Sequence, residues 1–234
     1  MRELLSLLMT LVVIVNTIID GDTFWATLGK ERFKVRLYAV NAPERGMKCY
    51  EEAKDFLRRS INHTVTITPL GKGIYKRIIA VVNNGTSDLN LELIKKGLAI
   101  PYPYPPPERR FLEFGKEYVR RVFSLWSVPC IFNGTFKGID LITFNYNPPG
   151  RDEGREYVVL SSNVSTTITV INKRWKSVTA TVTPGINTVT LEWNRGGFLG
   201  NKGDVIMIVV GGKLAAEAAY APWAHLTTIK ETGK

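Results

Sequence analysis

The residue patterning of this chain changes abruptly near residue 127, and a single uniform fold cannot satisfy both halves. Before that point, alternating apolar segments are interleaved with stretches of helical period. Beyond it the helical period disappears, and short runs rich in Ser, Thr and Val recur between Gly, Pro and Asn turns. A 3.6-residue period and a 2-residue period bury different faces, so the two patterns predict two layered units with separate cores. The 234 residues supply enough chain for both. The boundary falls near Ser127–Phe136, and no internal repeat connects the halves.

In the first half, Val12–Leu28 and Arg32–Val40 read as strands turned at Gly29, Thr64–Leu70 alternates, and Tyr75–Val82 is an apolar strand. Asn83-Asn84-Gly85 marks a tight turn. Glu51–Ile61 is a short amphipathic helix. A second helix is capped by Ser87 or Asp88 and ends at Gly97, and a third runs from about Glu108 to Leu125 after the proline-rich PYPYPPP. Phe111, Phe114, Tyr118, Val119 and Val122 share one face of that third helix. In the second half the strands are Ile139–Tyr146, Glu156–Ser161, Thr166–Ile171, Val178–Val182, Thr188–Trp193 and Asp204–Val210, the pattern of an antiparallel sandwich.

The formal net charge is +10, and it is unevenly spread: residues 1–127 carry 20 Lys/Arg against 13 Asp/Glu, and 128–234 carry 11 against 8. The basic excess of the first half suits a polyanionic partner, because clustered cations release counterions from a phosphate backbone; a solvating basic surface is the plainer alternative. Cys49 and Cys130 either form one disulfide or are two unrelated thiols, and with only His63 and His225 present a Cys/His metal cluster is ruled out. The start, MRELLSLLMTLVVIV, has a basic Arg2 and an uncharged apolar run from Leu4 to Val15. That run suits a signal segment or anchor better than a full membrane span, although no small-residue cleavage site follows it. Four N-x-S/T sequons, at Asn62, Asn84, Asn133 and Asn163, fit an exported, secreted or membrane-associated chain.

Three short motifs of the first half share a chemistry. Asp20-Gly21-Asp22-Thr23 sets two carboxylates on a bend, as a hard cation requires, although turns use Asp and Gly routinely. VRLYAVNAPE then places Arg36 eight residues before Glu44, and Tyr75-Lys76-Arg77 follows on a later segment. Singly, each has an ordinary reading: Arg36 as a surface ion-pair partner, Glu44 as a solvated turn charge, Tyr102 and Tyr104 as packing among prolines.

Together and in this order they resemble the thermonuclease (staphylococcal nuclease-like) family, whose pattern is IDGDT, RLxxVDTPE, YGR, QGLA, a tyrosine pair and a final LW. The corresponding segments are Ile19–Thr23, Arg36–Glu44, Tyr75–Arg77, Lys96–Ala99, Tyr102 with Tyr104, and Ser124–Trp126. The resemblance implies an α+β OB-fold barrel of five strands with three helices over residues 12–127. It implies a calcium-dependent endonuclease acting on DNA and RNA to leave 3′-phosphate ends, with no organic cofactor. By the same resemblance Asp22, Asn41 and the Ala42 carbonyl are the Ca2+ ligands and Glu44 is the general base. Arg36 and Arg77 grip the phosphate, and Tyr75, Tyr102 and Tyr104 line the nucleotide pocket. Asn41 departs from the family's aspartate and removes one charge from the cage, Ala42 replaces threonine, and Lys76 replaces the glycine of YGR. These departures imply weaker metal binding with the geometry kept; the alternative is a catalytically weak or inactive nucleic-acid-binding protein.

Residues 136–222 are similar to the lamin-tail family through Ile139–Pro148, Gly150, Asp152, Glu156-Tyr157-Val158 and Gly196–Asp204, with Trp175 as a candidate core tryptophan. That resemblance implies an all-β immunoglobulin-like sandwich over 136–226, with residues 128–135 as linker, 227–234 as tail and 1–11 as the apolar start. Such a unit suits binding or tethering, to nucleic acid, envelope or another protein. Asp152, Glu153 and Glu156 are either a cation site or solvated turn acids.

Overall fold

A computed structural model describes residues 9–147, 154–193 and 196–232. The chain divides into two compact units, residues 1–101 with 105–131, and residues 102–104 with 132–234. The acids Asp152 and Glu153 lie outside the described residues, as do Pro148, Gly150 and most of the apolar start.

The described residues of the first unit build a closed barrel from β1 (Leu11–Ile18), β2 (Thr23–Leu28), β3 (Glu31–Leu37), β5 (Thr64–Lys72) and β6 (Ile78–Asn83), in the order β1-β2-β3-β6-β5. Only β3 and β6 run parallel, with Val35 opposite Ile78 and Arg36 opposite Ile79. Alternation sends Phe24, Ala26, Val35, Leu37, Ile67 and Val82 inward, where all are buried. A separate two-residue ladder joins β4 (Val40–Asn41) to β7 (Ile100–Pro101), with Asn41 opposite Ile100. The helices α1 (Tyr50–Ser60), α2 (Leu89–Lys95) and α3 (Leu112–Leu125) complete the unit. The side chain of Asp88 caps α2 by accepting from the Leu91 N–H at 3.1 Å and also accepts from the Tyr118 hydroxyl of α3 at 2.8 Å.

Two expectations for this unit shift. Val12–Leu28 is two strands, because Asp20-Gly21-Asp22 turns the chain between β1 and β2. Tyr75 lies outside the strand proposed for Tyr75–Val82: it sits in a short turn, Ile74–Lys76, with φ of 62°, and β6 starts only at Ile78. Cys49 and Cys130 are joined as a disulfide, which settles the alternative left open by their spacing. It closes a loop of 81 residues, a length at which chain entropy contributes about 4 kcal/mol.

The second unit is two sheets among the described residues. One has the order β11-β10-β13-β14-β15, from Ser177–Val182, Thr166–Asn172, Asp204–Val210, Lys213–Ala221 and Leu226–Glu231. The other is β12-β9-β8, from Gly185–Thr190, Tyr157–Ser162 and Ile139–Asn145. Ile139, Leu160, Ile168, Val170, Ile206, Ile208 and Tyr220 belong to one buried cluster of the unit. This all-β arrangement is consistent with a sandwich. Residues 227–231 are strand rather than tail, with Thr228 paired to Ala219. Trp175 is absent from that core: it is half-buried at a turn, with φ of 61°.

Glu156 is neither a cation ligand on a surface turn nor a solvated acid. It is wholly buried, and its carboxylate accepts the backbone N–H groups of Phe198 and Leu199. Asn172 donates to the Phe198 carbonyl at 2.7 Å, and Asp204 accepts from Gly200, Val205 and Lys173 backbone N–H groups at 2.8, 2.8 and 3.0 Å. The GGFLGNKGD stretch therefore holds its form because buried side chains satisfy its backbone.

Glu217 of β14 lies opposite Lys230 of β15 and is buried, with no hydrogen-bond partner for Oε2 among the described residues. Burial pushes its carboxyl up to about 8, against the opposing pull of the Lys230 charge. A raised carboxyl favours folding while it holds its proton, so stability is greatest below its ordinary value of 4.5 and declines as the pH rises through 8. Thermal melts of the full chain should therefore show Tm falling from about pH 5 to about pH 9, and Glu217→Gln should flatten that fall. A native Tm that is level across the range would contradict the burial of an ionisable Glu217.

Candidate active site

The residues that organise the site come from two turns. At the first, Gly21 lets the Asp20–Asp22 bend approach its neighbours: a Cβ there would stand 2.6 Å from the Ala53 Cβ of α1 and 2.7 Å from the Ala42 Cβ. Any larger residue would force the two carboxylates away from the Asn41–Ala42 segment. At the second, Ala39 takes φ of 62° between β3 and β4. Buried Asn90 holds that turn, donating to the Tyr38 carbonyl at 2.9 Å and accepting the Val82 N–H at 3.1 Å.

Asp22, Arg36, Asn41 and Ala42 meet in one cluster. The Asp22 carboxylate accepts the Ala42 N–H at 2.9 Å and the Thr23 hydroxyl at 2.9 Å, and it pairs with Arg36 at 3.0 Å. Arg36 Nη2 also donates to Asn41 Oδ1 at 3.0 Å, while Nη1 donates to the Leu37 and Val40 carbonyls at 2.7 and 2.8 Å. The guanidinium thus fills the β3–β4 turn and joins it to the Asp22 bend, a use of its planar fork that lysine cannot copy. Both side chains of the ion pair are largely buried, at 11% and 9% exposure.

Asp20, the other carboxylate of the DGD bend, lies next to Asp22. Its Oδ1 accepts the Asp22 N–H at 3.0 Å, and burial, reinforced by the Asp22 charge, pushes its carboxyl up to about 6. The paired carboxylates of the DGD motif were the available signal for it.

The other expected residues are placed differently. Glu44 follows three residues after Asn41 on an exposed turn, its backbone N–H directed to the Met47 sulfur at 3.3 Å. Arg77 precedes β6, the strand parallel to β3. Its Nε donates to the Ile74 carbonyl, and its guanidinium carbon stands 5.7 Å from the Tyr75 ring centroid. Tyr75 itself is 82% exposed. Tyr102 and Tyr104 contact each other edge to face at 4.6 Å and belong to the second unit.

A hard divalent cation needs converging oxygen donors. Asp22 Oδ2 and Asn41 Oδ1 each lie 3.0 Å from one guanidinium nitrogen, so two oxygens already converge on a single cationic atom. Both oxygens are engaged by Arg36, and the Asp20 carboxylate accepts the Asp22 N–H nearby. The described residues hold no group of three or more His, Cys, Asp or Glu side chains that could hold a metal ion.

A closed five-stranded barrel with three helices fits the OB-like nuclease fold. Residues 34–127 match the family described as staphylococcal nuclease homologue, which supports a domain of that family there. An uncharacterized endonuclease of Haemophilus influenzae is 30% identical over 110 residues, covering 46% of this chain and 62% of that protein. A micrococcal nuclease of Shigella flexneri is 27% identical over 124 residues, covering 48% of this chain and 71% of its own. The chain thus spans less than two thirds of the first of these relatives.

Removing the Asp22 carboxylate leaves the buried Arg36 guanidinium without its counter-charge. Asp22→Ala should therefore lower unfolding free energy by about 3 kcal/mol in urea titration, whereas the exposed-turn change Arg45→Ala should shift it by less than about 0.5 kcal/mol. Equal, small effects would show that the ion pair does not brace the turn.

Proposed function

We propose that the barrel unit is an endonuclease that hydrolyses phosphodiester bonds in DNA and RNA with a calcium ion as cofactor. The observation that carries this reading is the convergence of Asp22, Arg36 and Asn41, with Glu44 three residues past Asn41 on an exposed segment, in a unit whose residues 34–127 match a nuclease family. The two relatives, an uncharacterized endonuclease and a micrococcal nuclease, support the same reaction class.

Asp22, Asn41 and the Ala42 carbonyl would hold the cation, with Asp20 behind them. When bound, the cation supplies Lewis-acid polarisation of the phosphoryl oxygens. Glu44, exposed and free to reach solvent, takes the proton from the attacking water. The water oxygen bonds to phosphorus, the P–O5′ bond breaks with its electron pair leaving on O5′, which takes a proton from solvent to give a 5′-hydroxyl, and the phosphate stays on the 3′ side of the preceding nucleotide. Arg77 faces the added negative charge of the five-coordinate phosphorus, where a preformed cation stabilises most. Arg36 positions Asp22 and Asn41 and adds positive potential beside them. Asn41 keeps an oxygen donor but takes one charge from the cage, so this chain requires more calcium than a three-carboxylate site would.

The disulfide between Cys49 and Cys130 supports a secreted or membrane-associated location, since such bonds persist in oxidising compartments. Among the described residues no helix is long and apolar enough to cross a membrane. The second unit, similar in sequence to lamin-tail domains, is assigned a binding role.

Glu44→Gln removes the base and keeps the size of an exposed side chain. Cleavage of a single-stranded oligonucleotide in calcium should fall at least about 100-fold, with Tm unchanged. Undiminished cleavage by that variant would overturn the assignment of Glu44.

A further inference from the structure

Strand β1 turns alternate side chains out of the barrel, and consecutive outward positions are aliphatic. Val12 is 64% exposed and Ile14 43%, while Val13 between them is buried; Met9, just before the strand, is 76% exposed. Single exposed aliphatics are ordinary on a protein surface, but a run of neighbouring ones is not. The sequence before Met9 is apolar too, with Leu4, Leu5, Leu7 and Leu8. The register shows what stands beside this row. Ile14 pairs with Thr27, which pairs with Arg32, and Thr17 pairs with Trp25, which pairs with Lys34. Cross-strand partners share a face, so the two cations lie two strands, about 10 Å, from β1 on the same outer surface. On the other flank Val12 and Ile14 pair with Thr66 and Thr64 of β5. The Arg32 guanidinium carbon is 4.6 Å and Lys34 Nζ 5.0 Å from the Trp25 ring centroid, so one half-buried ring holds both cations side by side. β1, β2 and β5 contain no acid, and Glu31, the one acid of β3, alternates to the side of Val35.

The chemistry of this face selects among occupants. The barrel is closed, so β1 has both neighbours and offers no free edge to an added strand. A second copy laid on the face would bring two sets of Arg32 and Lys34 into one interface with no acid to neutralise them. Nucleic acid answers the cations and leaves the aliphatic row without a partner. An anionic bilayer answers both, because headgroup phosphates attract the cations while the acyl boundary, within about 10 Å of them, accepts the aliphatics.

We propose that this outer face, with Val12 and Ile14 flanked by Arg32 and Lys34, docks the barrel unit on an anionic lipid bilayer. Val12 and Ile14 enter the acyl boundary, and the two cations, kept together by Trp25, sit among the headgroup phosphates. The inference deepens the membrane-associated location proposed above and rests on it, and none of these four residues belongs to the Asp22 cluster.

The test is co-sedimentation of the full chain with vesicles of equal parts phosphatidylcholine and phosphatidylglycerol, and with vesicles of phosphatidylcholine alone. The native chain should bind the mixed vesicles more weakly as salt rises, and should bind phosphatidylcholine alone at least about tenfold more weakly. Arg32→Gln with Lys34→Gln should lower affinity for the mixed vesicles about 25-fold, with Tm unchanged. Val12→Thr with Ile14→Thr should lower it at least about fivefold and leave its salt dependence in place. The control pair Ile142→Thr with Ile186→Thr, exposed aliphatics of the second unit, should change it by less than about twofold. Native-strength vesicle binding by either face variant overturns the proposal. So does a Arg32/Lys34 variant that loses affinity for a single-stranded oligonucleotide while keeping the vesicles, or a native dimer that the Val12/Ile14 variant dissociates. Fractionation of the cells that make the protein separates this inference from the location on which it rests. Recovery with membranes but face-independent vesicle binding sinks only this face, and face-dependent vesicle binding by a chain recovered only in soluble fractions sinks only the location.

Discussion

The Asp22 carboxylate is the group on which the geometry of the Asp22–Arg36–Asn41 cluster depends. It receives a backbone N–H from Ala42, a hydroxyl from Thr23 and a guanidinium from Arg36, and so joins two turns that are distant in sequence. Burying an ion pair is costly unless the remaining lone pairs and protons are satisfied. Here they are satisfied by the β3–β4 turn, whose Leu37 and Val40 carbonyls accept from the other guanidinium nitrogen. The arrangement is strained at Ala39 and crowded at Gly21, and the surrounding pieces offset both. Asn90 braces the first, and small side chains at Ala42 and Ala53 make room for the second.

That interdependence explains why Asn41 is tolerated. Its backbone is set by the ladder to Ile100, and its side-chain oxygen meets the same guanidinium nitrogen that Asp22 meets. Exchanging a carboxylate for an amide at this point keeps the oxygen and the hydrogen bond and removes one charge. The change acts on electrostatics rather than on shape.

Much of the first unit was legible because its signals were local. Turn residues, helix caps and alternation reported where elements begin and end, and Asp88 caps α2 as its spacing before Leu91 suggests. What escaped was decided by distant partners. Lys213–Ala221 is alanine-rich with a central glutamate and carries no alternation, yet pairing with both β13 and β15 makes it a strand. Residues 227–231 read as tail because their partner strand, Lys213–Ala221, carries no alternation to announce it. Glu156 follows a turn and looked solvated; the Phe198 and Leu199 N–H groups that it satisfies are more than 40 residues away. Of the RLYAVNAPE motif, Arg36, Asn41 and Ala42 meet Asp22, whereas Glu44 stands apart on an exposed segment. The attachment of Tyr104 to Lys173 and Arg174 was not legible, because nothing in 70 residues of intervening sequence announces it.

The most direct test is the calcium dependence of single-stranded DNA cleavage by the native chain and by Asn41→Asp, measured side by side. A live, weakly metallated nuclease predicts calcium-dependent cleavage by the native chain and a lower half-saturating calcium concentration for the variant, by about tenfold. Absence of cleavage by both folded proteins at every calcium concentration would contradict the assignment of this barrel as a nuclease, and cleavage with no shift would contradict Asn41 as a ligand.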